Sequence, residues 1–232
     1  MKTTRSFCRI VTVAVVLVGT LIGVPAQAAA KDKETPSQSQ APTVTITGFR
    51  SAQFGDSESQ LLPKIAKDLG IDAKSIKADT HPVERTRFLL AEAKNLLPDS
   101  GTASVAYILG ATSKALMQVN VVWTVAPGDK AGLERVAATA NALRDHLAGK
   151  GAYVKDSMAL NARLPDGSIL VFRGADVQGH MVALHLVVQP ATPPQEEKKD
   201  DGTSPEMGAI LRLSYMEKPG APDVLKLAPS AF

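Results

Sequence analysis

Four histidines, two acidic pairs, a basic pair and one Gly-Ala-Thr-Ser-Lys run are the residues of this chain whose types could support chemistry. His180 and His185 share a stretch of strand composition but lie an odd number of residues apart, so on a regular strand their rings leave from opposite faces and cannot share a metal ion. His146 ends a helix-patterned stretch, where a cation complements the helix dipole. His81 precedes Pro82, which favours extended backbone. Glu196-Glu197 and Asp200-Asp201 flank Lys198-Lys199 in a proline-rich segment. General acid–base work needs a firmly held carboxylate, so these read as solvated charges. Gly110 to Lys114 ends in the lysine of a phosphate loop but lacks its second glycine and joins two strand patterns, which predicts a hairpin turn. Arg85 and Arg87, with Glu84 beside them, could take an anion; the competing reading is a pair of edge arginines that discourage strand pairing. No hydrolase elbow, zinc helix, Walker loop or dinucleotide fingerprint occurs. No residue is therefore assigned a catalytic, cofactor-binding or metal-binding role.

The elements that would position these residues begin after an export signal. Lys2, Arg5 and Arg9 precede an apolar run from Ile10 to Val24, and Ala26-Gln27-Ala28 is a small-x-small cleavage site, so residues 1–28 read as a signal peptide. The run is shorter than the ~20 residues of a membrane span, and nothing later is long and apolar enough to span, so no stable membrane insertion is expected after cleavage. Cleavage removes three of the 26 basic residues and none of the 23 acidic ones, which leaves the chain neutral. It also removes Cys8, the single cysteine, and with it disulfides, thiol nucleophiles and cysteine-based metal sites. A neutral chain lacks the positive field that nucleic acid attracts. Export without cysteine or an Asn-x-Ser/Thr acceptor points to a Gram-negative periplasm.

Residues 29–42 carry no large apolar side chain and read as a flexible tether; 189–206, with four prolines and a charged centre, read as a mobile loop. The patterned domain spans 43–216, with halves 43–125 and 126–216, and 217–232 form a Pro-rich tail. Val44 to Arg50 alternates as an opening strand. Ser57 and Gln60 have capping-box spacing ahead of Leu61, Leu62, Ile65, Ala66 and Leu69, with Gly70 as the stop. Pro63 should make this helix start late or bend. Strands are predicted at 87–93, 104–109 and 116–124. A second helix follows, opened by Pro127-Gly128-Asp129, striped by Leu133, Val136, Ala140, Leu143 and Leu147, and closed by Gly149. Further strands are predicted at 157–163, 168–174, 180–188 and 207–216. The order of one helix and about three strands thus occurs twice. Short connections make the sheet mostly antiparallel, an α+β class with both helices on one face and the outline of a tandem α-β-β-β repeat.

Alternation places Val105, Tyr107, Val121, Trp123, Leu170, Phe172, Leu184, Leu186, Leu211 and Leu213 under the helices. On the other face it places Ile108, Val122, Ile169, Val171, Met181, Val187 and Ile210, interspersed with Gln118, Asn120, Arg173, His185 and Arg212. Those last five form the candidate interaction face. It is too apolar to be purely solvated, and three covers are open: another envelope protein, a second copy of the chain, or the tail through Val224, Leu225, Leu227 and Phe232. The resulting expectation is a periplasmic, non-enzymatic binding module. The alternatives are a hydrolase-like enzyme using His185 with carboxylates, and a carrier of a small apolar ligand.

Residues Gly48 to Leu69 (GFRSAQFGDSESQLLPKIAKDL) resemble the start of small exported bacterial proteins in which Gly-Phe/Leu-Arg and then Phe-Gly-Met-Ser/Thr open a helix ahead of a strand meander. Asp56 stands where those proteins carry Met. The element order is also similar to the helix-plus-sheet fold of β-lactamase inhibitor proteins and of outer-membrane assembly lipoproteins of the BamE type. What the resemblance implies is a protein-interaction scaffold without catalysis.

Overall fold

The computed structural model describes residues 41–190 and 206–226. The expected signal peptide, nearly all of the tether, residues 191–205 of the expected loop and residues 227–232 of the tail lie outside the described residues.

The chain forms a small hairpin, β1 (Gly48–Phe49) with β2 (Ala52–Gln53), then α1 (Glu58–Leu69), then β3 (Lys77–Thr80), β4 (Arg87–Lys94), β5 (Thr102–Leu109) and β6 (Leu116–Val125). The second half repeats the plan with α2 (Lys130–Ala148), β7 (Ala159–Arg163), β8 (Ile169–Ala175), β9 (Met181–Pro190) and β10 (Met207–Met216). The eight later strands make one antiparallel sheet in the order β3-β4-β5-β6-β10-β9-β8-β7. Each half is thus a helix followed by a four-strand meander, and the last strands of the two meanders pair at the centre of the sheet. The class is α+β, as alternation and short connections imply. The repeat unit has four strands; the one that the sequence does not show is β3 of the first half.

Both helices bury their stripes in one core. Leu61 and Ile65 of α1 and Val136, Ala140, Leu143 and Leu147 of α2 join Val105, Tyr107, Val121, Leu184 and Leu211 of the sheet in a single cluster. Full burial of a side chain as large as Leu61 or Ile65 stabilises the fold by about 1.5–3 kcal/mol. The capping box of Ser57 and Gln60 is present, and Gly70 ends α1 in the left-handed conformation at φ 64°. Pro63 does not delay the helix, which already runs from Glu58. The carbonyl that Pro63 cannot serve is that of Ser59, four residues earlier on the first turn at an exposed position. Asp56, at the departure from the resembled motif, is a nearly buried carboxylate that accepts from the Gln53 N–H at 2.7 Å and from Lys64 Nζ at 2.6 Å.

Two expected strands differ. Val44 and Ile46 are buried, but only Gly48–Phe49 of that stretch is strand. The Thr43 and Val44 N–H groups donate to the Ala152 carbonyl, and that of Ile46 donates to the side chain of Asp176, so the segment is held by a loop and a carboxylate instead of a ladder. Strand β9 continues through Pro190, two residues into the expected loop.

Tyr153 anchors the end of α2 to the sheet. Its hydroxyl donates to the Leu147 carbonyl at 2.8 Å, its ring meets Phe172 edge-on at 5.3 Å, and it lies over Gly174, where an added Cβ would fall 2.5 Å from the ring. Gly174→Ala is therefore expected to cost about 1–3 kcal/mol by overpacking. Thermal unfolding followed by circular dichroism checks this, and an unchanged Tm would contradict it.

Candidate functional site

The sheet face opposite the helices has no element over it among the described residues, and all five sequence-predicted residues lie on it. Register defines their arrangement. One row runs Val122, Arg212, His185 and Leu170 across β6, β10, β9 and β8. The next runs Asn120, Ser214, Ala183 and Arg173, and a third begins Ile108, Gln118, Met216 and Met181. Arg212 and His185 are direct cross-strand neighbours. Gln118 Nε2 donates to Asn120 Oδ1 at 2.9 Å. Arg173 lies three strands from Asn120, about 14 Å at the usual strand spacing, and its Nε donates to the Ser157 carbonyl at 3.1 Å.

A bulge in β8 corrects the expected faces. The register slips between Leu170 and Phe172, so Ile169 pairs with Leu186 above the core while Leu170 pairs with His185 on the open face. Val171, expected on the open face, is buried in the core cluster beside Phe172. Leu170 is buried yet outside that cluster. The extra residue reverses the alternation on one side of it, and Arg173 regains the open face after it.

On these four strands the face mixes apolar side chains with Gln118, Asn120, His185 and Ser214, and it carries two cations. Across β6, β10, β9 and β8 it carries Arg173 and Arg212 and no Asp or Glu. Arg212 is exposed and makes no ion pair among the described residues. Burial, and after it the neighbouring Arg212 charge, hold His185 below the usual histidine range, while Asp166 pulls weakly the other way. His185 is therefore the neutral imidazole at neutral pH. The carboxylate of Asp166 accepts from the Ser168 N–H and hydroxyl at 3.0 and 2.6 Å and reaches His185 only through space. That is not the hydrogen-bonded His–carboxylate pair a hydrolase would need. Among the described residues no three His, Cys, Asp or Glu side chains gather into a metal-binding group.

At one end the face runs into a cavity of about 320 Å³, walled by Met117, Gln118 and Met216 of the sheet and by Pro219 and Pro222 of the tail. The described tail does not cover the face as the apolar tail residues suggested. It runs as a strap across the hairpin ends: the Ala111 N–H donates to the Asp223 carbonyl at 2.8 Å and the Leu225 N–H to the Glu84 carbonyl at 2.9 Å. Val224 is half-buried and Leu225 is 48% exposed. Leu227 and Phe232 lie outside the described residues.

The strap is held by a carboxylate the sequence did not flag. Asp223 accepts from the Thr112 and Ser113 N–H groups at 3.1 and 2.8 Å, and these bonds lower its pKa to about 2. A depressed carboxylate contributes stability above its unfolded pKa and loses it as pH falls through the folded value. The strap should therefore stay docked through the range where ordinary aspartates protonate, near pH 4, and release toward pH 2. Backbone amide shifts of Thr112 and Ser113 against pH test this; a midpoint near 4, or one unmoved by Asp223→Asn, would refute it.

The remaining sequence candidates are placed as follows. His180 precedes β9 instead of lying in it, and its Nδ1 lies 2.7 Å from the Ile46 carbonyl and 3.2 Å from Asp176. His146 is exposed in the last turn of α2, and His81 Nδ1 accepts from the Glu84 N–H at 3.1 Å. Gly110 to Lys114 is a hairpin turn. Arg87 is not an edge arginine, because β3 takes the edge; both of its bonds go to Glu58.

The fold and the face together define an α+β protein with one helix-covered sheet surface and one open surface. A scan against protein-family models, a search of curated proteins and a search of solved structures each return no match.

Proposed function

We propose that this protein is a non-enzymatic binding module of the cell envelope, and that its open sheet face docks a partner protein bearing carboxylates around an apolar strip. The observation that carries this reading is the face itself: across β6, β10, β9 and β8 it mixes apolar side chains with neutral polar ones, and its charged groups on these strands are Arg173 and Arg212. Half-exposed apolar side chains such as Val122, Val187 and Ile210 favour association, and arginines without an ion-pair partner select an oppositely charged surface. The cavity beside Gln118 suits an inserted apolar side chain of the partner, the kind of anchor that dominates interface energies. The export signal read in residues 1–28 supports the envelope setting, and the tandem helix-plus-sheet order fits the interaction scaffolds that the sequence resembles.

The test is site-specific photo-crosslinking in the intact envelope. A crosslinker at Val122 or Ile210 on the open face is expected to trap one defined protein, whereas the same group at Glu134 on the outer side of α2 does not. The adduct should vanish in an Arg173→Glu/Arg212→Glu background. Equal trapping from both sides of the molecule, or an adduct indifferent to charge reversal, would overturn the reading.

A further inference from the structure

Two features that are separate in the sequence, the arginines near 85 and the Gly110–Lys114 turn, meet beside the start of α1. Arg85 sits in the β3–β4 turn at φ 57° and Lys114 in the β5–β6 turn at φ 53°. The strap ties these turns together, since Asp223 binds the second and Leu225 the first. Both cations line one cavity of about 460 Å³ with the hydroxyl-bearing residues Ser57, Ser59 and Thr80. Arg87 also lines it, but its Nε and Nη2 are engaged by Glu58 at 3.0 and 2.9 Å. Arg85 and Lys114 have no ion-pair partner among the described residues.

From this arrangement we infer that the cavity is a binding site for a phosphoryl group, with Arg85 and Lys114 as the principal ligands and the Ser59 and Thr80 hydroxyls as secondary donors. Three cations and one carboxylate line it, a surplus of two positive charges that matches a phosphate monoester dianion. Asp79 acts on Arg87 from nearby and trims the field on that side, which leaves Arg85 and Lys114 as the uncompensated pair. Leu109 is the one large apolar side chain in the lining, so the cavity offers little to an uncharged apolar ligand. The site is not a phosphate loop. The amides of Ala111, Thr112 and Ser113 are already occupied by the chain's own Asp223, and the ligand is taken by side chains on the turns that this contact holds in place. Two converging charge-assisted donors on pinned turns are the general means of holding such a dianion.

Titration of the isotope-labelled chain, as processed by its host, with inorganic phosphate at low ionic strength tests this. Saturable amide shifts are expected at Arg85, Lys114 and Ser59, with a Kd of about 1 mM or tighter. Arg85→Asn/Lys114→Asn keeps residues that tolerate positive φ, and it should weaken binding at least about tenfold, the equivalent of one charge-assisted bond. Lys94→Gln, which removes an exposed cation elsewhere on β4, should leave binding unchanged. The same spectra report whether each variant is folded. Absence of saturable shifts, or shifts that persist in the double variant, would overturn the inference. Vesicles of phosphatidylcholine with and without phosphatidic acid then identify the source. Sedimentation only with phosphatidic acid, lost in the double variant, assigns a lipid headgroup. Phosphate binding without sedimentation assigns a soluble phosphate ester. Both results uphold the site.

Discussion

Replacing Asp176 by alanine is expected to lower stability by about 3–5 kcal/mol, the largest single effect predicted for this chain, because three backbone donors, that of buried Ile46 among them, lose one carboxylate acceptor together. The Asp176 side chain is wholly buried. Its Oδ1 accepts from the Gln178 and His180 N–H groups, each at 2.9 Å, and its Oδ2 from the Ile46 N–H at 2.9 Å. Oδ2 also lies 3.2 Å from Nδ1 of His180, whose ring packs against Phe54 at 5.2 Å. One carboxylate thus closes the β8–β9 turn and fastens the N-terminal segment, with buried Val44 and Ile46, onto the second half of the sheet. At ~2–4 °C per kcal/mol for a domain of this size, Tm should fall by roughly 10 °C. Asp176→Asn distinguishes hydrogen bonding from simple volume. Its amide oxygen can keep the two turn donors, but its NH2 group meets the Ile46 N–H, so an intermediate loss is expected. Urea unfolding of both variants measures this. An alanine variant within ~1 kcal/mol of the parent, the cost of an ordinary substitution, would show that the knot is not what holds the N-terminal segment.

The second large effect concerns binding. Arg173→Glu/Arg212→Glu is expected to weaken association with the partner trapped on the open face by about 100-fold, near 3 kcal/mol, because each reversal replaces an attraction by a repulsion in a partly desolvated setting. Stability should change little, since Arg212 is exposed and Arg173 gives up one hydrogen bond to the Ser157 carbonyl. Calorimetry on the purified pair, with thermal unfolding of the variant as control, separates the two. Unchanged affinity in a folded variant would leave the face without an electrostatic role. Raising salt should weaken the parent complex more than the variant complex, because screening acts on the exposed part of the same charges.

Much of this architecture is legible in local sequence. The stripe of α2, the capping box of α1 and the alternation of β6 are short-range signals, and each appears where its spacing places it. Other elements are illegible for definite reasons. Strand β3 (Lys-Ala-Asp-Thr) is exposed at every position and has no apolar alternation; it is a strand because β4 offers it a ladder. Val44 to Thr47 has ideal strand composition but pairs with no strand, and its backbone donors go to a loop carbonyl and to Asp176. The bulge at Val171 follows from pairing to β9 and has no compositional mark, and it moved Leu170 and Ile169 between faces. Asp176 and Asp223 look like ordinary turn aspartates, and their roles depend on N–H groups 130 and more than 100 residues away in sequence.

Taken alone, the amino-acid order determined the helices, most strands, the α+β class and the five polar residues that share the open face, because helical and strand periodicities are properties of neighbouring residues. Tertiary structure alone decided which rows those five residues occupy, that the described tail straps the hairpin ends instead of covering the face, and that Arg85 and Lys114 line one cavity. Those outcomes depend on cross-strand register and on long-range hydrogen bonds to buried or pinned backbone, whose partners become neighbours only once the sheet has closed around its central β6–β10 pair.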